Sequence, residues 1–330
     1  MAPATGMADI TPVTLLIGLA GAGKSTLLQR LLGPPVAAGI ADAAGIAVVT
    51  AQPDPPMWWN GGCPCCTPRD DVARGLRALL PRARRGDVRR VVIETTGLAD
   101  PGPILATLLS DTVAASAYRL DVIVAVVDAV AGPDVLATLD NAVRQVVTAD
   151  RIVLTRTDLG GAADLRTRLT WLNPAAPVID AAADPVAALS AGALAPTAEI
   201  ANLRAWLDPD AFGARREPPK APGHAGANIH AFCLTFDHPL PWPAAAAWLE
   251  RLILTHGDAL LRMKGILHLQ GTPHPVAIHS LRHHLHPPIP LRGWPPDDPR
   301  TSRVMFITRG LSRAVVAERG PVPAASDLQR

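Results

Sequence analysis

The chain has 330 residues, of which 48% are hydrophobic and 18% are charged. This balance excludes a predominantly disordered chain, and the length allows about two domains with cores of their own. Lys and Arg total 31 against 29 Asp and Glu, so there is no electrostatic footprint for nucleic acid. The longest apolar runs, residues 13–23 and 122–127, fall short of the ~18 to 20 residues that cross a bilayer. We therefore expect no nucleic-acid partner and no membrane partner.

Short β-branched runs alternate with amphipathic segments over the first two hundred residues. The predicted strands cover residues 13–17, 46–50, 91–94, 122–127 and 152–155. The predicted helices cover residues 24–32, 70–80, 103–109, 135–147 and 165–172. Continuous apolar strands separated by helices are typical of a parallel sheet that is covered on both faces. The sequence therefore predicts an α/β, doubly wound, mostly parallel sheet.

The second part of the chain is organised differently. Turn-forming residues without periodicity predict a linker at 208–227. Beyond it, we predict strands at 230–236, 266–269, 276–278 and 303–308, and a helix at 244–254. These boundaries give a first domain over 1–207, a smaller α+β domain over 228–313, and a flexible tail over 314–330.

Residues 18–25 match the pattern G-x-x-x-x-G-K-[ST], directly after a predicted strand and at the start of a predicted helix. In that setting, backbone N–H groups converge on phosphate oxygens, Lys24 bridges the β and γ phosphates, and the Ser25 hydroxyl reaches Mg²⁺. The alternative is a Gly-rich turn with no ligand. The pattern favours a P-loop NTPase fold, with these candidate nucleotide-binding residues: Gly18, Gly21, Ala22, Gly23, Lys24, Ser25 and Thr26.

Two further strand ends carry candidate nucleotide contacts. Glu94 ends the third predicted strand and is a candidate Mg²⁺ residue with Ser25, and Gly97 is a candidate γ-phosphate contact. Lys24 and Glu94 are the predicted catalytic residues. Thr155, Arg156 and Asp158 follow the fifth predicted strand. A carboxylate at Asp158 can accept from both N1–H and the exocyclic amine of guanine, which favours GTP over ATP, although an ordinary helix-capping Asp is the alternative.

Three of the four cysteines, Cys63, Cys65 and Cys66, stand within four residues. They are too close for unstrained disulfides with one another. No basic residue precedes the first apolar run, so we expect no secretory signal and a reducing, cytoplasmic location. Three soft thiolates then favour Zn²⁺ or another thiophilic ion such as Co²⁺, with a redox switch and simple packing as alternatives.

All ten histidines lie between His224 and His286. The densest group is His279, His283, His284 and His286. On a continuous strand, His284 and His286 would share one face, and His279 and His283 the other. The cluster could serve metal buffering or delivery, and the alternative is that these histidines simply line a solvated face of the sheet.

With these motifs in place, the chain resembles the CobW family of P-loop GTPases, relatives of the hydrogenase- and urease-maturation GTPases that act as metal chaperones. The matching segments are residues 18–26, 62–67, 94–101, 155–158, 262–267, 279–288 and 303–308. The resemblance implies binding of GTP and Mg²⁺, slow GTP hydrolysis, and delivery of Zn²⁺ or Co²⁺ to a client metalloenzyme, with a link to cobalamin synthesis or zinc homeostasis. The resemblance does not determine the oligomeric state, and a homodimer is one possible assembly. The alternative function is a nucleotide-gated metal sensor or scaffold with negligible turnover.

The sequence departs from the family pattern in two places. Residues 50–60 lack the Asn-Glu pair and the further Glu of the family's switch loop and contain prolines, which restrict backbone rearrangement. We therefore expect altered coupling between metal and GTP. Thr155 and Arg156 also stand where Asn and Lys are common, although the planar Arg head can still stack on a base.

Overall fold

The structure, a computed structural model, describes residues 10–32, 40–43, 45–50, 67–97, 101–182, 228–295, 297–318 and 320–321. They form two compact units. The first holds the described residues up to Arg166 together with 177–182, and the second holds 167–176 and the described residues from 228 onward. The predicted linker, 208–227, lies outside the described residues, so its boundaries remain predictions.

Seven described strands form the sheet of the first unit. They are β1 (Thr11–Ile17), β2 (Ile40–Ala43), β3 (Ile46–Thr50), β4 (Arg90–Glu94), β5 (Tyr118–Asp128), β6 (Arg151–Thr155) and β7 (Val178–Asp180). Their spatial order is β2-β3-β4-β1-β5-β6-β7. Strand β2 is antiparallel to β3, and every other neighbouring pair is parallel. The predicted doubly wound, mostly parallel sheet is confirmed, although β2 and β7 were not predicted.

Helices connect these strands. They are α1 (Lys24–Leu32), α2 (Thr67–Arg84), α3 (Pro101–Ser110), α4 (Thr112–Ala117), α5 (Gly132–Thr138), α6 (Asp140–Thr148) and α7 (Ala162–Leu172). Helix α1 buries Leu27 and Leu28 in one cluster with Leu16 of β1 and Val124 of β5. The burial of such a side chain contributes ~1.5 to 3 kcal/mol, so this helix holds the carboxyl end of β1 in place. Among the described residues, no helix is both long and apolar enough to cross a membrane.

Two predicted helices differ from the structure. The single helix expected over 135–147 is wrong, because Leu139 has extended backbone (φ −108°, ψ 110°) and separates α5 from α6. The Leu139 side chain is largely exposed, so one apolar residue of the apparent helical stripe does not face the core. Helix α2 continues past the expected end at residue 80, with Pro81 in its last turn.

A buried ion pair joins three strands at the opposite end of the sheet from the P-loop. Val13 pairs with Leu120 and Thr14 with Val122, so Asp121 is the extra residue of a bulge in β5. Its Oδ2 lies 2.8 Å from Nη2 of Arg90 on β4, and its side chain is 1% exposed. Arg90 Nη1 also donates to Thr14 Oγ1 on β1 at 2.8 Å. The bulge thus turns a carboxylate toward its counter-charge inside the protein.

The second unit contains an antiparallel sheet with helices. Its strands are β8 (Ile229–Phe236), β9 (Leu260–Leu267), β10 (Val276–Leu281), β11 (His284–Leu285), β12 (Ile289–Pro290) and β13 (Ser302–Arg309), and its helices are α8 (Trp242–His256) and α9 (Arg313–Ala317). The spatial order is β11-β10-β9-β13-β8, with β12 beside β10. The predicted α+β class is confirmed. Strand β9 begins six residues before the expected start at 266, and Arg262 and Lys264 are buried within it.

Trp248 of α8 centres the core of this unit. Its ring packs edge-to-face with that of Phe306, with centroids 5.9 Å apart, and its indole N–H donates to the carbonyl of Val316 at 3.3 Å. Val316 is fully buried in α9. The prediction that the chain is flexible from residue 314 is therefore wrong for α9, because an apolar side chain and a tryptophan partner anchor it.

The ion pair at the bulge yields a stability prediction. Replacement Asp121→Asn leaves Arg90 partly buried without its counter-charge, and the loss of one partner of a buried pair costs about 3 kcal/mol or more. Urea unfolding followed by circular dichroism measures the change in the free energy of unfolding. The matched control is Asp87→Asn, whose partner Arg85 is 61% exposed, and it should lose less than ~1 kcal/mol. Equal losses in the two variants would contradict the structural role of the pair.

Candidate functional site

The P-loop lies between β1 and α1, at the carboxyl edge of the first unit's sheet. At Gly18 (φ 147°), a Cβ would stand 2.5 Å from the carbonyl oxygen of Val126 on β5, so a larger residue cannot occupy this position. Gly21 and Gly23 have positive φ as well. Of the other predicted residues, Ala22 is buried, and Ser25 and Thr26 are exposed in the first turn of α1. The loop therefore presents backbone N–H groups and a helix N-terminus, which together suit an anion.

Lys24 is folded onto its own loop. Its Nζ donates to the carbonyls of Gly18 at 2.7 Å and Leu19 at 3.0 Å. Burial lowers the pKa of Lys24, and the Glu94 carboxylate opposes that shift. The two carbonyls thus hold the Lys24 ammonium beside the P-loop. A phosphate bound there could take their place as the hydrogen-bond acceptor.

Ser25 and Glu94 meet across the site. The Ser25 hydroxyl donates to Glu94 Oε1 at 2.6 Å, and Glu94 is buried at the end of β4. A hydroxyl and a carboxylate are the hard oxygen ligands that suit Mg²⁺. The donor set of these two predicted residues therefore fits this ion.

Gly97 packs directly on the P-loop. A Cβ at this position would lie 2.1 Å from the backbone nitrogen of Ala20, so no side chain fits. Gln145 of α6 donates through Nε2 to the Gly97 carbonyl at 3.2 Å. Gln145 was not among the predicted residues, since a Gln within an amphipathic helix carries no signal of its own.

The segment after β6 is bound to the P-loop on its other side. Thr155 Oγ1 donates to the Ala22 carbonyl at 2.8 Å. Arg156 adopts the left-handed conformation (φ 54°), and its Nη2 donates to the Gly21 carbonyl at 2.6 Å while lying 2.9 Å from Asp128 Oδ2. Such strain at a non-glycine residue is found where the surroundings fix the conformation, commonly at functional sites.

Asp158 lies in the single 3₁₀ turn Thr157–Leu159 that follows. It is exposed, and within the described part of the chain its carboxylate forms no hydrogen bond or ion pair. The helix-capping alternative has no support here, because the cap of this turn is Arg156 and no side chain caps it. The Asp158 carboxylate therefore retains its acceptor capacity for a ligand.

Two aspartates at the same edge were not predicted. Asp128, at the end of β5, accepts from Val130 N–H at 2.9 Å and pairs with Arg156. Asp180, at the end of β7, accepts from the Thr157 hydroxyl at 2.6 Å and from Ala182 N–H at 2.9 Å. The signal that could have found Asp128 is its place at a strand end, whereas β7 has only three residues and no readable pattern.

A cavity of about 300 Å³ flanks the P-loop on the side of β5, α5 and α6. Its walls are mainly aliphatic, and Asp128, Gln145 and Arg156 supply the polar side chains. The backbone of residues 19–22 forms one wall. The outer side of the P-loop thus borders open space instead of packed core.

The predicted metal-binding cysteines, Cys63, Cys65 and Cys66, lie outside the described residues, as does most of the departing loop at 50–60. Cys233 is free and partly buried, and burial raises the pKa of its thiol. Within the described ranges, no three His, Cys, Asp or Glu side chains are grouped so that they could hold a metal ion.

The histidine cluster is arranged differently from the prediction. His279 and His286 stack with ring centroids 3.9 Å apart, and His283 lies 3.2 Å from Asp258. The expected shared face of His279 and His283 is wrong because the chain turns between β10 and β11, where Leu281 pairs with His284. The turn brings His286 opposite His279 instead.

Comparison with known proteins places these observations in a family. Residues 12–180 match the model of the CobW/HypB/UreG nucleotide-binding domain, and residues 229–319 match the cobalamin synthesis protein cobW C-terminal domain. The zinc chaperone YjiA of Escherichia coli is 30% identical over 272 residues, covering 79% of this chain and 83% of YjiA. The zinc chaperone CobW of Pseudomonas aeruginosa is 27% identical, covering 93% of this chain and 90% of that protein.

A yeast relative and a solved structure agree with this placement. The zinc-regulated GTPase metalloprotein activator 1 of Schizosaccharomyces pombe is 34% identical over 166 residues, which cover 46% of this chain and 40% of that protein. The crystal structure of Zn(II)-bound YjiA GTPase from E. coli superposes with a TM-score of 0.64 at 27% identity, covering 94% of this chain and 98% of that one. From the nucleotide-binding model, which spans just over half of the residues, and from the identity to YjiA, we conclude that this chain belongs to the CobW/HypB/UreG family of P-loop GTPases.

Proposed function

We propose that this chain binds GTP with Mg²⁺, hydrolyses the GTP, and uses that cycle to deliver a zinc ion to a client metalloenzyme. One observation carries the proposal: Lys24, the Ser25–Glu94 pair and the segment ending in Asp158 meet at one edge of one sheet. These are the parts that phosphate, Mg²⁺ and guanine require. The names of YjiA, CobW and the yeast activator support zinc as the cargo.

Phosphate binding would use groups that are already oriented. Lys24 would exchange its bonds to the carbonyls of Gly18 and Leu19 for bonds to phosphate oxygens, which are stronger acceptors because they are charged. Backbone N–H groups of the P-loop and of the first turn of α1, at Ser25 and Thr26, would complete the cradle.

Ser25 and Glu94 would hold Mg²⁺, which when bound neutralises charge on the phosphates. Gly97 lies against Ala20, and Gln145 fixes the orientation of its carbonyl, so the peptide at this position is held beside the predicted γ-phosphate site. Hydrolysis would then proceed by in-line attack of water on the γ phosphate.

The cargo site would consist of Cys63, Cys65 and Cys66. Three thiolates form the soft ligand set that Zn²⁺ prefers, and Co²⁺ is the second metal that this set accommodates. The proposed delivery also implies a partner, a client metalloenzyme, since an ion held by a chaperone needs an acceptor protein.

Lysine removal tests the phosphate site. Lys24→Ala should weaken GTP binding about 10- to 100-fold and abolish turnover, because a hydrogen bond to a charged group contributes ~1.5 to 3 kcal/mol. Calorimetric GTP titration measures the affinity, and circular dichroism checks the fold. The matched control is Arg30→Ala, an exposed cation on the same helix, which should bind GTP normally. Unchanged GTP binding by a folded Lys24→Ala variant would remove the P-loop from the mechanism.

Base selectivity tests Asp158. Asp158→Asn replaces an acceptor-only carboxylate with an amide that can donate to the 2-oxygen of xanthine. GTP affinity should fall about 10- to 100-fold, and the affinity for xanthosine triphosphate should rise relative to GTP. Competition binding with GTP, xanthosine triphosphate and ATP measures the change, with Asp164→Asn, an exposed carboxylate on α7, as control. Equal wild-type affinity for ATP and GTP would show that the guanine assignment is wrong.

Metal titration tests the cysteines. Wild-type protein should bind one Co²⁺ per chain with the intense visible bands of tetrahedral thiolate ligation, and Cys65→Ser should lose most of that intensity. Cys233→Ser is the control and should keep the bands, because burial of the Cys233 thiol disfavours the thiolate. Absent bands in the wild type would rule out the cargo site.

GTP turnover by the wild-type protein distinguishes a delivery enzyme from a metal sensor or scaffold. Single-turnover GTP hydrolysis, measured with and without Zn²⁺, should proceed in the wild type. Because residues 50–60 lack the family's glutamates, metal affinity with GTP and with GDP should differ by less than ~100-fold, which corresponds to nearly 3 kcal/mol of coupling. A protein that binds GTP without hydrolysing it would instead be a sensor or scaffold.

A further inference from the structure

The segment that carries Asp158 is held from two sides. Toward the P-loop, Thr155 and Arg156 donate to backbone carbonyls. On the opposite side lies β7, whose Asp180 is in register with Leu154 of β6. The Ala181 N–H donates to the Leu154 carbonyl at 2.9 Å, so the end of β7 is fixed beside the end of β6.

The Asp180 carboxylate joins three parts of the chain. Its Oδ2 accepts from the Thr157 hydroxyl at 2.6 Å, and its Oδ1 accepts from the Ala182 N–H at 2.9 Å. Arg166 of α7 lies 3.8 Å from Oδ2 and donates to the Val178 carbonyl at 2.9 Å. Asp180 therefore connects the turn that contains Asp158 to β7 and to the helix that follows the turn.

The hydrogen bond from Thr157 to Asp180 is the contact that connects Asp180 to the backbone beside Asp158. Thr157 immediately precedes Asp158 in the 3₁₀ turn, and Asp158 itself has no contact in the described part of the chain that would orient it. The pKa of Asp180 is lowered, first by the Thr157 hydroxyl and then by the Ala182 N–H, so the carboxylate is ionised at neutral pH. A short bond to an ionised acceptor is stronger than a neutral one.

We propose that Asp180 is a positioning residue for guanine selectivity, which fixes the Asp158 carboxylate through Thr157. The inference rests on the proposed function, in which Asp158 reads the guanine edge. A site discriminates between bases by hydrogen bonds only when its own groups are held in place by neighbouring residues. A small displacement of such a group removes its hydrogen bond to the base. Asp180 supplies that support without touching the base.

The experiment compares GTP with inosine triphosphate, which lacks only the exocyclic 2-amino group. The ratio of the two affinities therefore reports the contact between Asp158 and that amine. Competition binding on the full chain should give a wild-type preference for GTP of about tenfold or more. Asp180→Ala should bring the ratio close to one, and the affinity for inosine triphosphate should fall less than the affinity for GTP, since inosine keeps only the N1–H contact with Asp158 and never had the contact through the 2-amino group.

Paired variants at Thr157 protect the test against misfolding. Thr157→Val has nearly the same shape without the hydroxyl and should lower the ratio as Asp180→Ala does, whereas Thr157→Ser keeps the hydroxyl and should preserve the wild-type ratio. Asp164→Ala removes an exposed carboxylate from α7 and should leave the ratio unchanged.

Three outcomes would count against the proposal, and they are distinguishable. If the wild type prefers GTP and Asp180→Ala and Thr157→Val keep both that preference and the wild-type affinities, the positioning role is overturned and the proposed function stands. If both variants lose affinity for GTP and inosine triphosphate equally, Asp180 is only structural. If the wild type itself fails to prefer GTP over inosine triphosphate and ATP, the guanine site fails, and the positioning role fails with it.

Discussion

Residues at or near the carboxyl ends of β4, β5 and β6 pack closely on the backbone of the P-loop, and the arrangement of the site depends on this packing. Gly18 lies against the Val126 carbonyl of β5, and Gly97, beyond β4, lies against Ala20. Thr155, at the end of β6, donates to the Ala22 carbonyl. Because each contact is made to the loop itself, the loop brings residues that are far apart in the sequence to one edge. Parallel strands make this convergence possible, since their carboxyl ends all lie on the same side.

The charges of the first unit are distributed between the two ends of its sheet. At the amino end, Asp121, which is buried, and Arg90, which is partly buried, form an ion pair. At the carboxyl end, Lys24 donates to backbone carbonyls and Glu94 accepts from the Ser25 hydroxyl. The pair at the bulge is predicted to stabilise the fold, whereas in the proposed function the groups at the opposite edge would exchange their contacts for phosphate and Mg²⁺. This division follows the general rule that open α/β sheets bind ligands at their carboxyl edge.

The second unit shows how buried polar groups are accommodated without a metal cluster among the described residues. Trp248 gives α8, β13 and α9 a common core, and its indole N–H is satisfied by a backbone carbonyl. His279 and His286 stack as neighbours across a hairpin, so their proximity is a consequence of strand pairing. The unit matches the C-terminal domain model of the family over 229–319, and its α+β class was predictable from an alternating strand, further strand-like runs and one amphipathic helix.

The sequence by itself determined the features that arise from local patterns. The continuous apolar runs predicted five of the parallel strands, and the eight-residue P-loop pattern located Gly18, Lys24 and Ser25 because each lies within one short backbone conformation. Only the tertiary structure decided which distant groups support that pattern. Asp180 belongs to a three-residue strand, Asp121 to a bulge, and Gln145 to an amphipathic helix. Arg156 is held left-handed by partners on the P-loop and β5. Such contacts depend on strand order and packing between residues far apart in the chain, and single-sequence periodicity carries no record of them.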